Sequence, residues 1–322
     1  MKLRILSASD VRAAIDMPQA IDAMRDAFGA LAAGKAQVPV RLQLETRHGV
    51  SLFMPAHLDD PERMAAKVVS VNGGNAQRGL PAIHAVVLVL DPETGRPLAL
   101  MDGTWLTALR TGAVGGLAAD LLARDDAKVV ALFGAGVQAR TQLEAVRCVR
   151  PVEEVRIVSR SGESADTLAA ELQGVTARRV DGADEAVAGA DIVIAATSSA
   201  TPVFDGSGIQ EGTHVTGVGS YTTAMREVDT ELVLRARVVV DQREAVLEEA
   251  GDIAGPIADG VVDASVMEAE IGDIVLGTAP GRTDPREITF FKSVGNAVQD
   301  VAVAARVLEV AERQGLGTVV EL

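Results

Sequence analysis

The sequence predicts an α/β protein whose second half contains a doubly wound, largely parallel sheet. The main observation is the stretch from Val129 to Ala139, where five apolar residues lead directly into the pattern Gly-x-Gly-x-x-Ala. An uninterrupted apolar run is typical of a strand that is buried on both faces of a parallel sheet. Apolar residues then recur at helical spacing as far as Val149. The unit is therefore a strand, a glycine turn and a helix.

This glycine turn has the features of a dinucleotide-binding site. Gly134 permits a tight turn, and Gly136 allows the backbone to approach a pyrophosphate. The free amides at the start of the following helix attract phosphates, which predicts contacts from Val137 and Gln138. Because any tight strand-to-helix turn can produce this motif, the prediction depends on the further strand–helix units behind it.

The rest of the chain divides at this turn. Before it, the pattern predicts helices at 11–15, 18–33 and 113–122, with mostly antiparallel strands within 38–57, 64–71, 83–90 and 97–101. After it, the predicted strands are 155–158, 175–180, 191–196, 213–218, 237–240 and 289–293, and the predicted helices are 164–172, 184–188, 229–236 and 295–314. An acidic stretch rich in Gly and Pro, 249–287, contains one predicted helical segment around 267–276. Alternation of this kind is typical of a doubly wound sheet.

The composition limits the classes of partner. The 322 residues include 30 Lys and Arg against 45 Asp and Glu, which gives a net charge of −15. This balance argues against a nucleic-acid or phospholipid surface, and no apolar run is long enough to span a membrane. The single cysteine, Cys148, excludes an internal disulfide and is expected to be a buried thiol on the apolar side of its helix. A soluble cytoplasmic protein is the expectation.

Three isolated cations stand in apolar surroundings. Lys67 lies within an apolar strand, Arg110 comes just before the predicted helix 113–122, and Arg41 lies on the side of its strand opposite the apolar residues. A charge in such a setting is rarely buried unless it is paired. One interpretation is an ordinary ion pair or a solvent-reaching stem at each position. Our hypothesis is that the three cations bind an anionic group of the substrate, such as a carboxylate. The histidines show no metal-ligand spacing, so no metal site is predicted.

The end of the second strand of the sheet predicts the choice of cofactor. NAD-specific domains place an acidic residue there, which binds the ribose hydroxyls and repels a 2′-phosphate. Here the strand ends in Ser159, Arg160 and Ser161, and no carboxylate follows until Glu163. We predict that Arg160 pairs with the 2′-phosphate and that the two serines donate hydroxyls to it, so that NADPH is preferred and NADH is possible. The alternative is that Arg160 only covers the next helix.

Further motifs occur in a characteristic order along nearly the whole chain. They are Gly34-Lys-Ala-Gln-Val-Pro39, Met54-Pro-Ala56, Lys67-Val68, Asn75, Met101-Asp-Gly103, Ala108-Leu-Arg-Thr-Gly112, Gly134-Ala-Gly-Val-Gln138, Glu211-Gly-Thr-His214, Lys292-Ser-Val-Gly295 and Gln299-Asp300. In these residues the chain resembles the ornithine cyclodeaminase/mu-crystallin family. Because many motifs occur in the right order, the resemblance is specific.

The resemblance implies a homodimer in which a Rossmann domain, residues 115–294, is inserted in a smaller α+β substrate-binding and dimerisation domain, residues 1–114 and 295–322. It also implies that Arg41, Lys67 and Arg110 bind the substrate carboxylate, in agreement with the hypothesis drawn from their charge. The predicted cofactor-binding residues are Thr111, Gly134, Gly136, Val137, Gln138, Ser159, Arg160, Ser161, Thr197, Ser198, Gly219 and Ser220. We expect the dimer to form through residues 1–112, because a small sheet with an unpaired face tends to be buried against its copy. The wide apolar stripe of the final helix supports the same expectation.

Two departures from the family pattern select among its reactions. Tyr221 stands where cyclodeaminases and related alanine dehydrogenases carry an acid–base Asp, and Leu52 stands where cyclodeaminases carry a Glu. A phenol, with its ordinary pKa near ~10, is a poor base at neutral pH. The segment Gly219-Ser-Tyr-Thr222, followed by Met225-Arg-Glu227, is similar to the branch that reduces the cyclic ketimines Δ1-pyrroline-2-carboxylate and Δ1-piperideine-2-carboxylate to proline and pipecolate. We predict this reaction.

The predicted mechanism needs few protein groups. Arg41 and Arg110 hold the carboxylate, the nicotinamide transfers a hydride to C2, and the proton donor is Lys67, Tyr221 or a bound water. One alternative is a different reaction on the same scaffold, either ornithine cyclisation or oxidative deamination of L-alanine or another small amino acid. The other is a non-catalytic, NADPH-dependent binding protein similar to mu-crystallin, although such a protein has no need of a carboxylate-binding trio.

Overall fold

The computed structural model describes residues 1–322 except for the side chain of residue 76. The chain folds into two compact units. Met1–Arg110 and Asn296–Leu322 form the first unit, and Thr111–Gly295 form the second. The sequence places these divisions at 114/115 and 294/295, within a few residues of the observed ones. Among the helices that the structure describes, none is long and apolar enough to cross a membrane.

The strands and helices are numbered in chain order. The strands are β1 (Lys2–Leu6), β2 (Ala36–Gln37), β3 (Leu42–Thr46), β4 (Gly49–Asp59), β5 (Glu62–Val71), β6 (Ile83–Leu90), β7 (Pro97–Asp102), β8 (Val129–Phe133), β9 (Glu154–Val158), β10 (Thr176–Arg179), β11 (Ile192–Ala195), β12 (His214–Gly217), β13 (Arg237–Val240), β14 (Met267–Glu270), β15 (Thr289–Lys292) and β16 (Thr318–Glu321). The helices are α1 (Ala8–Ala14), α2 (Met17–Ala32), α3 (Gly103–Leu122), α4 (Val137–Val149), α5 (Gly162–Glu171), α6 (Ala183–Val187), α7 (Thr230–Arg235), α8 (Arg243–Glu249), α9 (Gly251–Ala258), α10 (Ile271–Leu276) and α11 (Ala297–Gln314).

The first unit is built on a mostly antiparallel sheet. Its strand order is β16-β1-β7-β6-β5-β4-β2, and β3 pairs with β4. The long helix α11 packs across β4, β5 and β6. This packing buries the apolar stripe of the helix inside the unit, at Val298, Val301, Ala302, Ala305 and Leu308. The stripe therefore does not itself provide a dimer contact, and the dimer through residues 1–112 stays a prediction.

The central strands of this sheet have one covered face and one open face. Successive side chains of a strand point to opposite faces, and Met54 and Val87 are buried on the face that α11 covers. The opposite face of the same unit carries exposed apolar side chains: Leu42 (60%), Leu44 (52%), Phe53 (36%) and Val86 (44%). Cross-strand pairing places Leu42 opposite Phe53, so these side chains form one continuous apolar surface.

The second unit confirms the predicted doubly wound α/β fold. Its sheet has the strand order β10-β9-β8-β11-β12-β15-β13-β14, and every pair of neighbours is parallel. The chain winds outward from β8 in one direction through β9 and β10, and then in the other direction from β11. In sheets of this type, ligands bind beyond the carboxyl ends of the strands at the point where the direction reverses. Here that point lies between β8 and β11.

Arg110 lies inside α3 and not before a helix, as the sequence had suggested. The helix begins at Gly103 because the Asp102 carboxylate, at the end of β7, accepts a hydrogen bond of 2.8 Å from the backbone N–H of Trp105. Gly112, within α3, marks a close contact with α4. A Cβ atom at Gly112 would lie only 2.5 Å from the carbonyl oxygen of Thr141 on α4.

Two other parts of the chain are more regular than the sequence indicated. Strands β1 and β16 lay outside the prediction, because each is short and gains its partner from the opposite end of the chain. The segment predicted as helical around 267–276 consists of β14 followed by α10, and α8 and α9 precede it. The strand is stabilised by parallel pairing with β13, a contact that local periodicity does not report.

Cys148 is exposed, so the prediction of a buried thiol was wrong. The buried face of α4 includes Leu143 and Val146. Cys148 follows Leu143 by five residues, which turns it about 140° away around the helix. The pattern of apolar residues was correct, but the cysteine does not belong to the apolar face.

Candidate functional site

A charged cluster, defined here as Lys67, Arg110 and Asp300, lies in the first unit. Lys67 comes from β5, Arg110 from α3, and Asp300 from α11, which packs across β5. The Lys67 Nζ atom is 2.7 Å from Asp300 Oδ2, and Arg110 Nε is 3.3 Å from Asp300 Oδ1. All three side chains are buried. Since an unpaired buried charge is costly, Asp300 makes it possible for two cations to stand inside the unit.

The residue before Asp300 also takes part in this site. Gln299 is fully buried, and its Oε1 atom accepts a hydrogen bond from Arg110 Nη1. Within the part of the chain that the structure describes, its Nε2 atom has no hydrogen-bond partner. Gln299 therefore supports the guanidinium with one end of its amide and keeps a donor at the other end. The sequence carried both residues as a family motif but gave them no role.

The charges around Lys67 determine its protonation. The pKa of Lys67 is lowered to about 8: burial lowers it most, the positive charges of Arg110 and Arg41 also lower it, and Asp300 raises it. Arg41 is half-buried and lies just before β3. Lys67 and Arg110 against the single carboxylate of Asp300 leave a net positive charge at this place. Such a site can attract an anion, and its lysine can release a proton near neutral pH.

The glycine turn of the second unit has the conformation that a dinucleotide site requires. Gly134 has a φ of 108°, in a region of backbone conformation that favours glycine. A Cβ atom added at this position would lie 2.5 Å from the carbonyl oxygen of Ala196. Gly136 is the N-cap residue of α4 and provides no side-chain cap. The first amides of the helix are thus left without a capping side chain, as an anion site requires. The turn fits a pyrophosphate.

A cavity of about 530 Å³ opens beside this turn. It collects six of the predicted cofactor-binding residues: Gly134, Gly136, Ser159, Arg160, Thr197 and Ser198. No acidic residue is among the lining residues. Arg160 is exposed and, among the described residues, has no salt-bridge partner. The donors and the free guanidinium are those that a phosphorylated ribose would need.

Six other predicted cofactor-binding residues do not line this cavity. Ser161 is the N-cap of α5, where its hydroxyl accepts a hydrogen bond from the Ser164 N–H. The carbonyl of Thr111, in α3, accepts a hydrogen bond from the side-chain amide of Gln142. Val137 is exposed, at 58%, and Gln138 is half-buried, both in the first turn of α4. Gly219 and Ser220 follow β12, and their backbone amides bond to a buried carboxylate.

That carboxylate belongs to Glu227, which joins the two loops that follow β11 and β12. The sequence analysis did not identify Glu227 as a site residue. It accepts hydrogen bonds from the Thr197 hydroxyl at 2.8 Å, from the Gly219 N–H at 2.6 Å and from the Ser220 N–H at 3.2 Å. Burial raises the pKa of the Glu227 carboxyl, and nearby Lys292 opposes this rise. These amides are engaged within the protein, so Gly219 and Ser220 support the loops through Glu227.

A second buried ion pair, between Lys292 and Asp252, supports the backbone at Glu227. Lys292, at the end of β15, lies 2.8 Å from Asp252 of α9, and both side chains are fully buried. The other oxygen of Asp252 accepts hydrogen bonds from the backbone N–H groups of Glu227 and Val228. The motifs that contain Lys292 and Glu227 were present in the sequence, but only the fold shows that they are neighbours.

Tyr221, predicted as an alternative proton donor, is 43% exposed. It follows Ser220, whose hydroxyl donates a hydrogen bond of 2.8 Å to the carbonyl of Met225. Lys67, the other predicted donor, is buried with a carboxylate partner at its amine. The surroundings of Lys67 shift its pKa toward neutral pH. Both proton-donor roles stay predictions.

These features define a class: a protein whose second unit is a doubly wound α/β domain with a glycine turn of the dinucleotide-binding type, and whose first unit contains a buried cationic cluster. A model of the ornithine cyclodeaminase/mu-crystallin family matches residues 1–315, and the chain belongs to that family. The predicted membership is confirmed.

Full-length relatives are similar to this chain. It is 37% identical over 323 residues to a Δ1-pyrroline-2-carboxylate reductase of Bacillus cereus, a match that covers 98% of this chain and 99% of the relative. The structure of Thermococcus litoralis Δ1-pyrroline-2-carboxylate reductase in complex with NADH and L-proline is 44% identical, with a TM-score of 0.95 and coverage of 98% and 99%. An archaeal alanine dehydrogenase dimer with bound NAD is 37% identical, with a TM-score of 0.96 and coverage of 100% of both chains.

Proposed function

We propose that this protein is an oxidoreductase that uses a nicotinamide cofactor to reduce cyclic imines bearing a carboxylate. The substrates are Δ1-pyrroline-2-carboxylate and Δ1-piperideine-2-carboxylate, and the products are L-proline and L-pipecolate. The main observation behind this proposal is the charged cluster. In it Asp300 pairs with two buried cations, Lys67 and Arg110, and a net positive charge remains. The Δ1-pyrroline-2-carboxylate reductases of Bacillus cereus and Thermococcus litoralis are similar to this chain over their full length, and this similarity supports the same reaction.

The residues of the first unit bind the substrate and supply the proton. The guanidinium of Arg110 offers a carboxylate two parallel donors, and Arg41 adds a second guanidinium. Lys67, whose pKa is lowered to about 8 by burial, is charged at neutral pH yet able to give up its proton. Its ammonium donates to the imine nitrogen as the C=N bond is reduced. Orientation of a reactive imine supplies most of the rate.

The residues of the second unit hold the cofactor, which supplies the hydride that reduces C2. The amides at the start of α4 bind the pyrophosphate, and Gly134 and Gly136 let the backbone approach it. Glu227 fixes the loop that contains Thr197 and Ser198. These residues bind and orient the cofactor without taking part in proton transfer.

The proposed cofactor preference is NADPH over NADH. It rests on Arg160, a free guanidinium at the cavity rim, and on the absence of acidic residues from the cavity lining. A carboxylate at this place would repel a 2′-phosphate. The structures of the Thermococcus litoralis reductase and the archaeal alanine dehydrogenase contain NADH and NAD, respectively. We therefore propose that this protein can also use NADH.

The proposed assembly is a twofold homodimer formed through the first unit. Its open sheet face carries four exposed apolar side chains in one continuous surface, Leu42, Leu44, Phe53 and Val86. Burial of this face against its copy would remove that surface from water. Light scattering at micromolar concentration should give the mass of a dimer, and Val86→Glu should give a monomer. A monomeric wild-type protein would contradict the assembly.

A second candidate reaction is oxidation of L-alanine, favoured by the similarity to an archaeal alanine dehydrogenase. Tyr221 argues against it, because that branch carries an acid–base Asp at this position. One assay distinguishes the candidates: purified protein receives each cyclic imine with NADPH or NADH, and L-alanine with NADP⁺ or NAD⁺. Rapid consumption of reduced cofactor with the imines is expected. Turnover with L-alanine alone would contradict the proposal, and cofactor binding without turnover would indicate a binding protein. A cytoplasmic location stays a prediction.

A further inference from the structure

Asp300 is a buried carboxylate that no step of the proposed reaction uses directly. Its two oxygens face different cations: Oδ2 is 2.7 Å from Lys67 Nζ, and Oδ1 is 3.3 Å from Arg110 Nε. The two cations come from β5 and α3, and Asp300 comes from α11. A single side chain thus fixes the positions of both groups that are to bind the substrate carboxylate.

The charges around Lys67 give Asp300 a second effect. The charged groups that act on Lys67 are Arg110 from α3, Arg41 from the segment before β3, and Asp300 from α11. On the neighbouring strands the residues that pair with Lys67 are apolar, Met54 on β4 and Val87 on β6. Burial and both arginines disfavour the ammonium, and Asp300 alone among these groups favours it.

Gln299 provides an internal comparison. It is the neighbour of Asp300 on α11 and bonds to the same guanidinium, through Arg110 Nη1. Among the contacts that the structure describes, it makes none with Lys67. Loss of Gln299 therefore disturbs Arg110 alone, whereas loss of Asp300 disturbs Arg110 and also the charge of Lys67.

We propose that Asp300 is a positioning residue that keeps Lys67 protonated and directed toward the substrate until the imine is reduced. This inference rests on the proposed function. In the step itself, C2 gains the hydride and the imine nitrogen gains a proton from Lys67 Nζ. The cofactor is oxidised, the C=N bond becomes a C–N single bond, and Lys67 is left as a neutral amine that solvent protonates again. Asp300 neither gives nor takes a proton in this step.

The test is the pH profile of kcat/KM for imine reduction in wild type, Asp300→Asn and Gln299→Met. Since kcat/KM reports the ionisation of the free enzyme, wild-type activity should fall above pH about 8, where Lys67 loses its proton. In Asp300→Asn the fall should begin about one pH unit lower, because an opposing charge has been removed. In Gln299→Met, KM should rise while the fall stays at the wild-type pH.

Two further variants make the result specific. Lys67→Arg stays charged throughout this range, so adding Asp300→Asn to Lys67→Arg should not move the profile. Asp300→Glu keeps the negative charge, so it should keep the wild-type pH profile with a lower kcat/KM. If Asp300→Asn does not fold, Asp300→Glu is the variant that tests the inference. An unmoved profile in an active Asp300→Asn variant would overturn the inference, as would Asp300→Glu with wild-type kcat/KM. Failure of the wild type to reduce any cyclic imine would instead contradict the proposed function.

Discussion

The charged cluster of the first unit and the glycine turn of the second are stabilised in different ways. The cluster consists of side chains from positions 67, 110 and 300, which three separate elements bring together. The turn consists of backbone within a few consecutive residues, held in place by the φ of 108° at Gly134 and the helix that follows. The first depends on charge and the second on conformation.

This difference determines what each site tolerates. A buried charge whose partner is removed costs several kcal/mol, because the remaining charge is uncompensated. The cluster should therefore respond strongly to charge and to pH. The turn should respond to added atoms, since a single methyl group at Gly134 would meet the carbonyl of Ala196. Substitutions in each site test this difference.

The largest effect is expected for Arg110→Ala. The substitution removes a guanidinium that we propose binds the substrate carboxylate, and with it one of the two cations that pair with Asp300. We expect kcat/KM for the imine to fall about a thousandfold. Arg63→Ala is the matched control, since the Arg63–Glu309 pair of the same unit is partly exposed, at 33% and 46%, and should cost little. Equal activities of the two variants in steady-state assays would contradict the role of the cluster.

The next largest effect is expected for Lys67→Met. If the ammonium gives its proton to the imine nitrogen, kcat should fall about a hundredfold and KM should rise as well. The wild-type fall in activity above pH about 8 should also disappear, because the group that titrates there has been removed. Steady-state kinetics across neutral and alkaline pH measure both effects. Full turnover in Lys67→Met, with only weaker binding, would show that Lys67 does not deliver the proton.

Two glycine variants test the conformational side of the contrast. Gly134→Ala should lower the free energy of unfolding by about 1–3 kcal/mol, because the backbone there is strained for any other residue. Gly136 has an extended conformation with a φ of −80°, and a Cβ atom there has nothing within 4 Å. Gly136→Ala should thus leave stability unchanged and weaken cofactor binding about tenfold. Denaturant unfolding and cofactor titration separate the two, and similar stability losses would argue against this distinction.

The smallest effect is expected for the cofactor preference. Arg160→Ala should lower the ratio of kcat/KM with NADPH to kcat/KM with NADH about tenfold, because one charge-assisted contact to the 2′-phosphate is lost. Arg156→Ala is the control, since Arg156 lies on the strand that leads to Arg160 but is bonded to Glu154 at 2.8 Å. An unchanged ratio in Arg160→Ala would show that Arg160 only covers the surface.

The sequence predicted the turn better than the cluster for a physical reason. The glycine turn is local, so an apolar strand and the spacing of Gly134 and Gly136 were sufficient. Lys67 and Arg110 could be singled out because each is a lone charge in apolar surroundings. Their partner Asp300 could not, because an acidic residue in a long amphipathic helix has no local pattern that reveals a buried pair. Pairing across α11 and β5 is information that only the fold contains.

The same reasoning explains the other differences between sequence and structure. Glu227 was part of a sequence motif without an assigned role, yet it is fully buried and holds two loops. Helix α3 was predicted too short, at 113–122, and its glycines allow close packing on α4. Strands β1 and β16 pair from opposite ends of the chain. In each case the deciding contact is distant in sequence.

The role of the charged cluster in binding the carboxylate can be measured with two imines that differ only in that carboxylate. Δ1-Pyrroline-2-carboxylate and the unsubstituted Δ1-pyrroline are supplied in turn with NADPH, and cofactor oxidation is followed. If the charged cluster binds the carboxylate, kcat/KM for the unsubstituted ring should be lower by at least about a hundredfold in wild type. In Arg110→Ala this difference should shrink. Equal kcat/KM values for the two rings in wild type would contradict the account.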